Sequence, residues 1–203
     1  MPDISYSQEI RRKLVHLSSL WMPALIFFVP NRLCAAIFGG VLIFNLLVEY
    51  GYHKKWPVVC KTYGRLFGKM LHTTETDTRF RPSGAPYVLA AALCCCLLFS
   101  RLNAVTALVV MLISDTAAAL IGRAFGKHRI NHNSKSIEGS AAFFLFGSAV
   151  ICCAAALSGA DEGFIVRGCI GVFIAMWAEL YKNRLKIDDN LSVPLIIGVC
   201  LSL

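Results

Sequence analysis

The sequence predicts an all-α fold, a polytopic membrane helical bundle of about seven transmembrane segments plus one interfacial amphipathic helix. Three observations predict it. Hydrophobic residues make up 57% of the 203 positions and charged residues 16%, with a mean hydropathy of +0.63. Apolar stretches recur along the whole chain, and the basic residues fall almost entirely into alternate connections between them. The length suits one compact bundle, so residues 1–203 read as a single integral-membrane domain.

In chain order, the first segment is Leu14–Val29. Its basic flank (Arg11, Arg12 and Lys13) resembles a signal peptide, but no small-residue cleavage site follows and further apolar segments do. Leu33–Val48 is the second. His53–Leu71 then changes character: Trp56, Val59, Tyr63, Phe67 and Met70 share one helical face, with Lys61, Arg65 and Lys69 opposite. That pattern predicts a helix lying on the bilayer surface. Pro86–Phe99, Ala104–Phe125, Ala141–Leu157 and Phe164–Leu180 are the next four segments, and Leu191–Leu203 is the last. At about 1.5 Å per residue the last reaches only about 20 Å, so it spans where the bilayer thins or the helix begins earlier.

Of the 20 basic residues, 17 precede the first segment, follow the second and sixth, or lie at the end of the fourth and in the loop after it; Arg32, Arg101 and Arg167 lie on the other side. The positive-inside rule then sets the N-terminus and the three long loops in the cytoplasm and the C-terminus outside, in a cell inner membrane or its equivalent. The net charge of +8 is accounted for by this topology, and no nucleic-acid partner is expected. The nine cysteines mostly sit in apolar runs without CxxC spacing, so neither a zinc site nor a structural disulfide is expected.

Asp115 is the most informative residue. It stands mid-way along the apolar run Ala104–Phe125, where a carboxylate costs about 2.5–3.5 kcal/mol on insertion scales and usually faces protein or a wet cavity. Ala119, Gly122 and Gly126 follow at i+4, i+7 and i+11 on the same helical face. A face so bare is either a small-residue packing seam or a path for substrate. Beyond it the loop GKHRINHNSKSIEGS, residues 126–140, carries Lys127, Arg129 and Lys135. Ser136 caps the next helix and Glu138 lies in its first turn. Basic groups, a helix N-terminus and a nearby acid are the parts that hold a nucleotide phosphate with Mg²⁺. GRAFGKH is not a phosphate-binding Walker loop: it is one residue short, and His128 stands where Ser or Thr would be needed. On the same side lie Arg12, Lys13, His16, Glu49, Glu179, Asp188, Asp189 and Asn190.

IRRKLVHL (10–17), SDTAAALIGRAFGKHRI (114–130), KSIEGSAAFF (135–144), AEL (178–180) and IDDNLSVPL (187–195) together resemble the CTP-dependent lipid kinases. That family includes dolichol kinase, phytol kinase and CTP-dependent diacylglycerol kinase, and is distantly similar to phosphatidate cytidylyltransferase. Glu75 and GAPY (84–87) add a weaker match. The chain departs from the family pattern at Ser114, where Gly is usual, and in lacking Pro-Gly before Lys135-Ser136. The resemblance implies that Asp115 binds Mg²⁺, that Arg12, Lys13, Lys127 and Lys135 bind the CTP phosphates, and that Gly122 keeps the site open.

The expected activity is transfer of the γ-phosphoryl group of CTP to the hydroxyl of a membrane lipid, a polyprenol or diacylglycerol arriving from the bilayer. Asp115, Glu138 and Lys135 form the expected catalytic set, with Asp115 and Glu138 on the metal. Gly126, Ser136, Asp189 and Asn190 complete the nucleotide site, and Glu138 or Asp189 is the candidate base. The alternatives are a cytidylyltransferase making CDP-diacylglycerol and a proton-coupled transporter with Asp115 as its relay. Against transport, the helix from Asp115 outward reads Ile113, Leu112, Met111, Val110 and Val109. The sequence sets no oligomeric state.

Overall fold

The computed structural model describes residues 6–61, 82–130, 135–181 and 187–203. Among them are eight named helices: α1 (Tyr6–Ser18), α2 (Trp21–Phe28), α3 (Asn31–His53), α4 (Gly84–Leu98), α5 (Arg101–Phe125), α6 (Ile137–Ser158), α7 (Glu162–Leu180) and α8 (Asp189–Ser202). The only β-type pairing among these residues is a single bridge between Arg129 and Ser136. Four helices, α3, α5, α6 and α7, are long and apolar enough to cross a membrane; α4 and α8 are apolar but shorter. The described residues are thus all-helical, and their four long apolar helices are those of a membrane protein by length and composition.

The first expected segment, Leu14–Val29, is two helices and not one. The chain turns at Ser19 and Leu20, where backbone bonds to His16 and Leu17 tighten to a three-residue spacing. Pro23 explains the break, because it lacks an N–H and its ring crowds the carbonyl four residues back, that of Ser19. It sits in the first turn of α2, where an N–H would have no helical partner. A second difference lies after α3. The amphipathic helix expected from His53 starts later: α3 itself runs to His53, Lys55 turns in a left-handed conformation (φ 57°), and helix resumes over residues 57–61. The remainder of that expected helix lies outside the described residues, as do Glu75 and the basic residues Lys182, Arg184 and Lys186.

α5 is the centre of the bundle. In its most apolar window 56% of the residues are buried, against 22–33% for the other three long helices. It packs on α1, α2, α4, α6 and α8. Glycines let the helices approach. A Cβ at Gly147 would lie 2.6 Å from Val172, and one at Gly198 would meet the Phe99 ring. Phe38, Phe143, Ile26, Leu108, Met111 and Leu112 fill the interior.

Successive helices from α3 onward run in alternate directions. At one end of the bundle Asn31 of α3 donates to the Phe99 carbonyl after α4 (3.2 Å), and Asn103 of α5 donates to the Leu201 carbonyl of α8 (3.2 Å). At the other end Glu49 of α3 accepts from Ser83 before α4, and Lys135 before α6 reaches Glu179 of α7. The helix starts of α4, α6 and α8 and the helix ends of α3, α5 and α7 therefore gather at this second end. The candidate functional residues stand there.

Candidate active site

α1 contributes a charged stripe. Glu9, Arg12, Lys13 and His16 recur at spacings of three and four, which places them on one helical face. That face packs against the second half of α5. Lys13, buried along its whole length, places Nζ 2.5 Å from Asp115 Oδ2. His16 Nε2 lies 3.2 Å from the same oxygen but makes no hydrogen bond there. The expected intramembrane acid is therefore turned into the protein and paired with a cation from another helix.

Two further carboxylates meet Asp115. One oxygen each of Asp115, Glu179 and Asp189 lie within 4.8 Å of one another. Glu179 ends α7 and is buried; Asp189 opens α8, whose cap Asp188 accepts from the Asn190 N–H. Lys135 bridges the pair, with Nζ 2.8 Å from Glu179 Oε1 and 4.0 Å from Asp189 Oδ2. The lysine also donates to the Glu179 carbonyl at the end of α7. Four acidic and basic groups from four parts of the chain thus close around Asp115: Lys13, Lys135, Glu179 and Asp189. Like charges packed so closely persist because ammonium groups lie between them.

Next to this cluster Glu9 is buried in the first turn of α1. It accepts twice from Arg12, from Nη2 at 2.5 Å and Nε at 3.2 Å, and stands 3.9 Å from Nη2 of Arg123 on α5. Burial works against the Glu9 charge, but the Arg12 hydrogen bonds outweigh it, with Lys13 and Arg123 adding to them, so its pKa lies below the ordinary value. For Arg12 burial likewise opposes the charge, and Glu9 outweighs it, with smaller help from Asp115 and Asp189.

The loop after α5 folds differently from expectation. Glu138, expected on the metal beside Asp115, instead turns back over its own loop. It accepts from His128 Nδ1 at 2.8 Å and from the Lys127 and His128 backbone N–H groups. An acid in the first helical turn finds amides close by, and it is not among the three carboxylates that meet. Lys127 points to the exposed surface of the loop. Ser136 is the buried N-cap expected of it, accepting from Gly139 N–H at 3.1 Å.

Gly122 and Gly126 prove to be packing positions. A Cβ on Gly122 would lie 3.1 Å from Ser136 Oγ and 3.3 Å from Gly139 Cα; one on Gly126 would meet Ser136 Oγ at 2.6 Å. The bare face of α5 is here the small-residue seam that lets α6 approach its backbone. Asn190 hydrogen-bonds Asp188 and lies beside Gly84 at the start of α4. In the sequence Glu9 carries no motif, and Glu179 and His16 stand only among the polar residues of the same side. The three-and-four spacing of Glu9, Lys13 and His16 was the available signal.

Fold and site together define a polytopic helical membrane protein with a buried ionic cluster at one end of its bundle. The chain belongs to the same family as the uncharacterized protein RP860 of Rickettsia prowazekii, with 30% identity across all of this chain and 96% of that one. It is also similar to the uncharacterized protein MJ1137 of Methanocaldococcus jannaschii, at 26% identity over 94% of this chain and 91% of that protein. No protein-family model matches the chain, and no solved structure does.

Proposed function

We propose that the protein is a lipid kinase, transferring the γ-phosphoryl group of CTP to the hydroxyl of a membrane lipid. The observation that carries this reading is the meeting of Asp115, Glu179 and Asp189 within 4.8 Å, ringed by Lys13, Lys135 and Arg12. Carboxylate oxygens are the donor type that Mg²⁺ takes, so this set fits the ion better than the pairing of Asp115 with Glu138. Bound there, Mg²⁺ would neutralise charge on the transferred phosphoryl group.

The chain's own residues do the rest. Lys13 and Lys135 hold the carboxylates converged, and Arg12 and Arg123 offer guanidinium groups at the rim for phosphate oxygens. Fixing both reactants supplies most of the rate in such transfers. Three helix starts, those of α4, α6 and α8, add their positive ends to the same region. The lipid alcohol would reach the site from the bilayer. CTP as the nucleotide rests on the sequence resemblance.

In this reading the site end faces the cytoplasm, as the excess of basic residues there favours. The end of α1 from Leu14 onward makes the first crossing together with α2, leaving Glu9 and Arg12 outside it, and α4 and α8 cross despite their length, giving seven traverses. Transport is disfavoured by the lining of α5 beyond Asp115: Met111, Leu112, Leu108 and Val110 are all buried and apolar.

The test is an assay of detergent-purified protein with γ-labelled CTP, Mg²⁺ and a panel of polyprenols, diacylglycerols and phosphatidate. Labelled lipid phosphate with release of CDP supports the kinase. Release of pyrophosphate with phosphatidate would replace it by a cytidylyltransferase, and no consumption of CTP with any lipid overturns both.

A further inference from the structure

Glu9 has no part in the ligand sets considered so far, yet it is more completely buried than most charged groups in the protein, at 3% exposure. A buried carboxylate beside a site for a polyanion works against binding by simple charge. Its geometry offers another role. Arg12 comes from α1 and Arg123 from the last turn of α5. Glu9 engages Arg12 through both carboxylate oxygens, which fixes the plane of that guanidinium, and its Oε2 faces Nη2 of Arg123. An arginine held by a carboxylate on one edge keeps N–H donors free to serve an anion on the other edge. Arg12 fits this description, since its side chain is 57% exposed even though Glu9 holds its inner edge at 4% exposure.

We infer that Glu9 is a positioning residue, which holds the Arg12 guanidinium, with Arg123 beside it, in the orientation that receives the phosphate groups of the nucleotide. This rests on the proposed kinase reading. Opposed effects separate it from the two simpler roles. If Glu9 were only a counter-charge, neutralising it would make the rim more positive and lower KM for the nucleotide. If it were only a staple between α1 and α5, its loss would reduce the amount of folded protein but leave KM of the folded fraction unchanged. A positioning role predicts that KM rises although the site has gained positive charge.

The experiment compares Glu9→Gln and Glu9→Asp with the wild-type enzyme, measuring KM for CTP, kcat and Tm in the same detergent. Glu9→Gln should raise KM about tenfold, the worth of one charge-assisted hydrogen bond lost from the phosphate site, with kcat changed less than KM. Glu9→Asp, which keeps the charge on a shorter stem, should recover part of that loss. A KM that falls or stays constant in Glu9→Gln overturns the inference. If Glu9→Gln does not fold, Glu9→Asp alone decides: a raised KM supports positioning and an unchanged KM overturns it. Failure of the wild-type protein to use CTP would overturn the kinase reading itself, which is a different result from a wild-type enzyme with an indifferent Glu9.

Discussion

Asp115 and Lys13 define what a single residue does here. Lys13 has almost no exposed surface and its ammonium lies 2.5 Å from the carboxylate, so each charge depends on the other. Asp115→Asn should abolish phosphoryl transfer and also leave Lys13 buried without its counter-charge, a defect worth about 3–5 kcal/mol when one partner of a buried pair is removed. Adding Lys13→Met should restore much of the stability and none of the activity. Thermal unfolding and CTP turnover of the single and double variants check this, and a double variant no more stable than Asp115→Asn would mean that the pair is not the source of the loss. Glu9 makes the contribution that depends on pH. Its folded pKa is depressed below the ordinary value of about 4.3, so its contribution to stability is complete above that value and is lost as pH falls through the lower folded pKa. The difference in Tm between wild type and Glu9→Gln should be constant near neutrality and shrink in acid; a difference that grows on acidification would contradict the pairing. Asp115 was legible in the sequence because an acid within an apolar span is costly and conspicuous. Glu9 carries no such signal and Glu179 stands in the sequence only among the polar residues of that side, because acids near helix ends are ordinary and only packing against another helix reveals that they are buried. Glu138 misled for the converse reason: it is near Asp115 in sequence, but the loop folds so that its carboxylate meets nearer amides first.

At the scale of the element, the seam between α5 and α6 decides how the site is built. Gly122 and Gly139 meet backbone to backbone, and a Cβ on Gly139 would lie 2.9 Å from the Ala118 carbonyl, an atom that cannot move without bending α5. Gly122→Leu should therefore destabilise the bundle, by more than the 1–3 kcal/mol typical of overpacking, and its loss of activity should follow the loss of folded protein. Gly40→Ala is the control, since nothing lies within 4 Å of a Cβ there; it should be neutral or stabilise α3 by up to about 1 kcal/mol through helix propensity. Equal Tm values for Gly122→Leu and wild type would revive the bare face as a substrate path. Periodicity and apolarity made every named helix from α3 onward legible, with ends differing by a few residues. They failed at α1 and α2, where Pro23 lies in a run whose composition is continuous but whose hydrogen bonding cannot be. A bare helical face also looks the same in sequence whether a ligand or a neighbouring helix covers it.

For the molecule as a whole, the proposed seven traverses require α4 and α8 to cross although both are short. Four helices are long enough by themselves, while α8, at 14 residues, reaches only about 21 Å against a hydrocarbon core of roughly 30 Å. Length alone would leave α8 embedded from one face. Its packing argues otherwise: it begins at the ionic cluster with Asp189 and ends where Asn103, in the first turn of α5, donates to Leu201 and Ser202. α5 is 25 residues long and runs from that far end back past the cluster. A helix tied to both ends of a full-length span crosses most of what that span crosses. The distribution of charge agrees, with Arg32, Arg101 and Arg167 opening α3, α5 and early α7 at the far end, and Arg12, Arg123 and Lys135 at the cluster. In the proposed topology the positive-inside rule would set the cluster end in the cytoplasm. Reporter fusions placed after Lys127, at Ala160 and at Leu203 read this directly. The first should report the cytoplasm, and the second and third the opposite side. A Leu203 reporter on the side of Lys127 would mean that α8 does not cross, and that Asp189 reaches the cluster from a helix that dips into the bilayer and returns. Reporters at Lys127 and Ala160 on one side would remove α6 as a span, and with it the arrangement that brings Lys135 to Glu179.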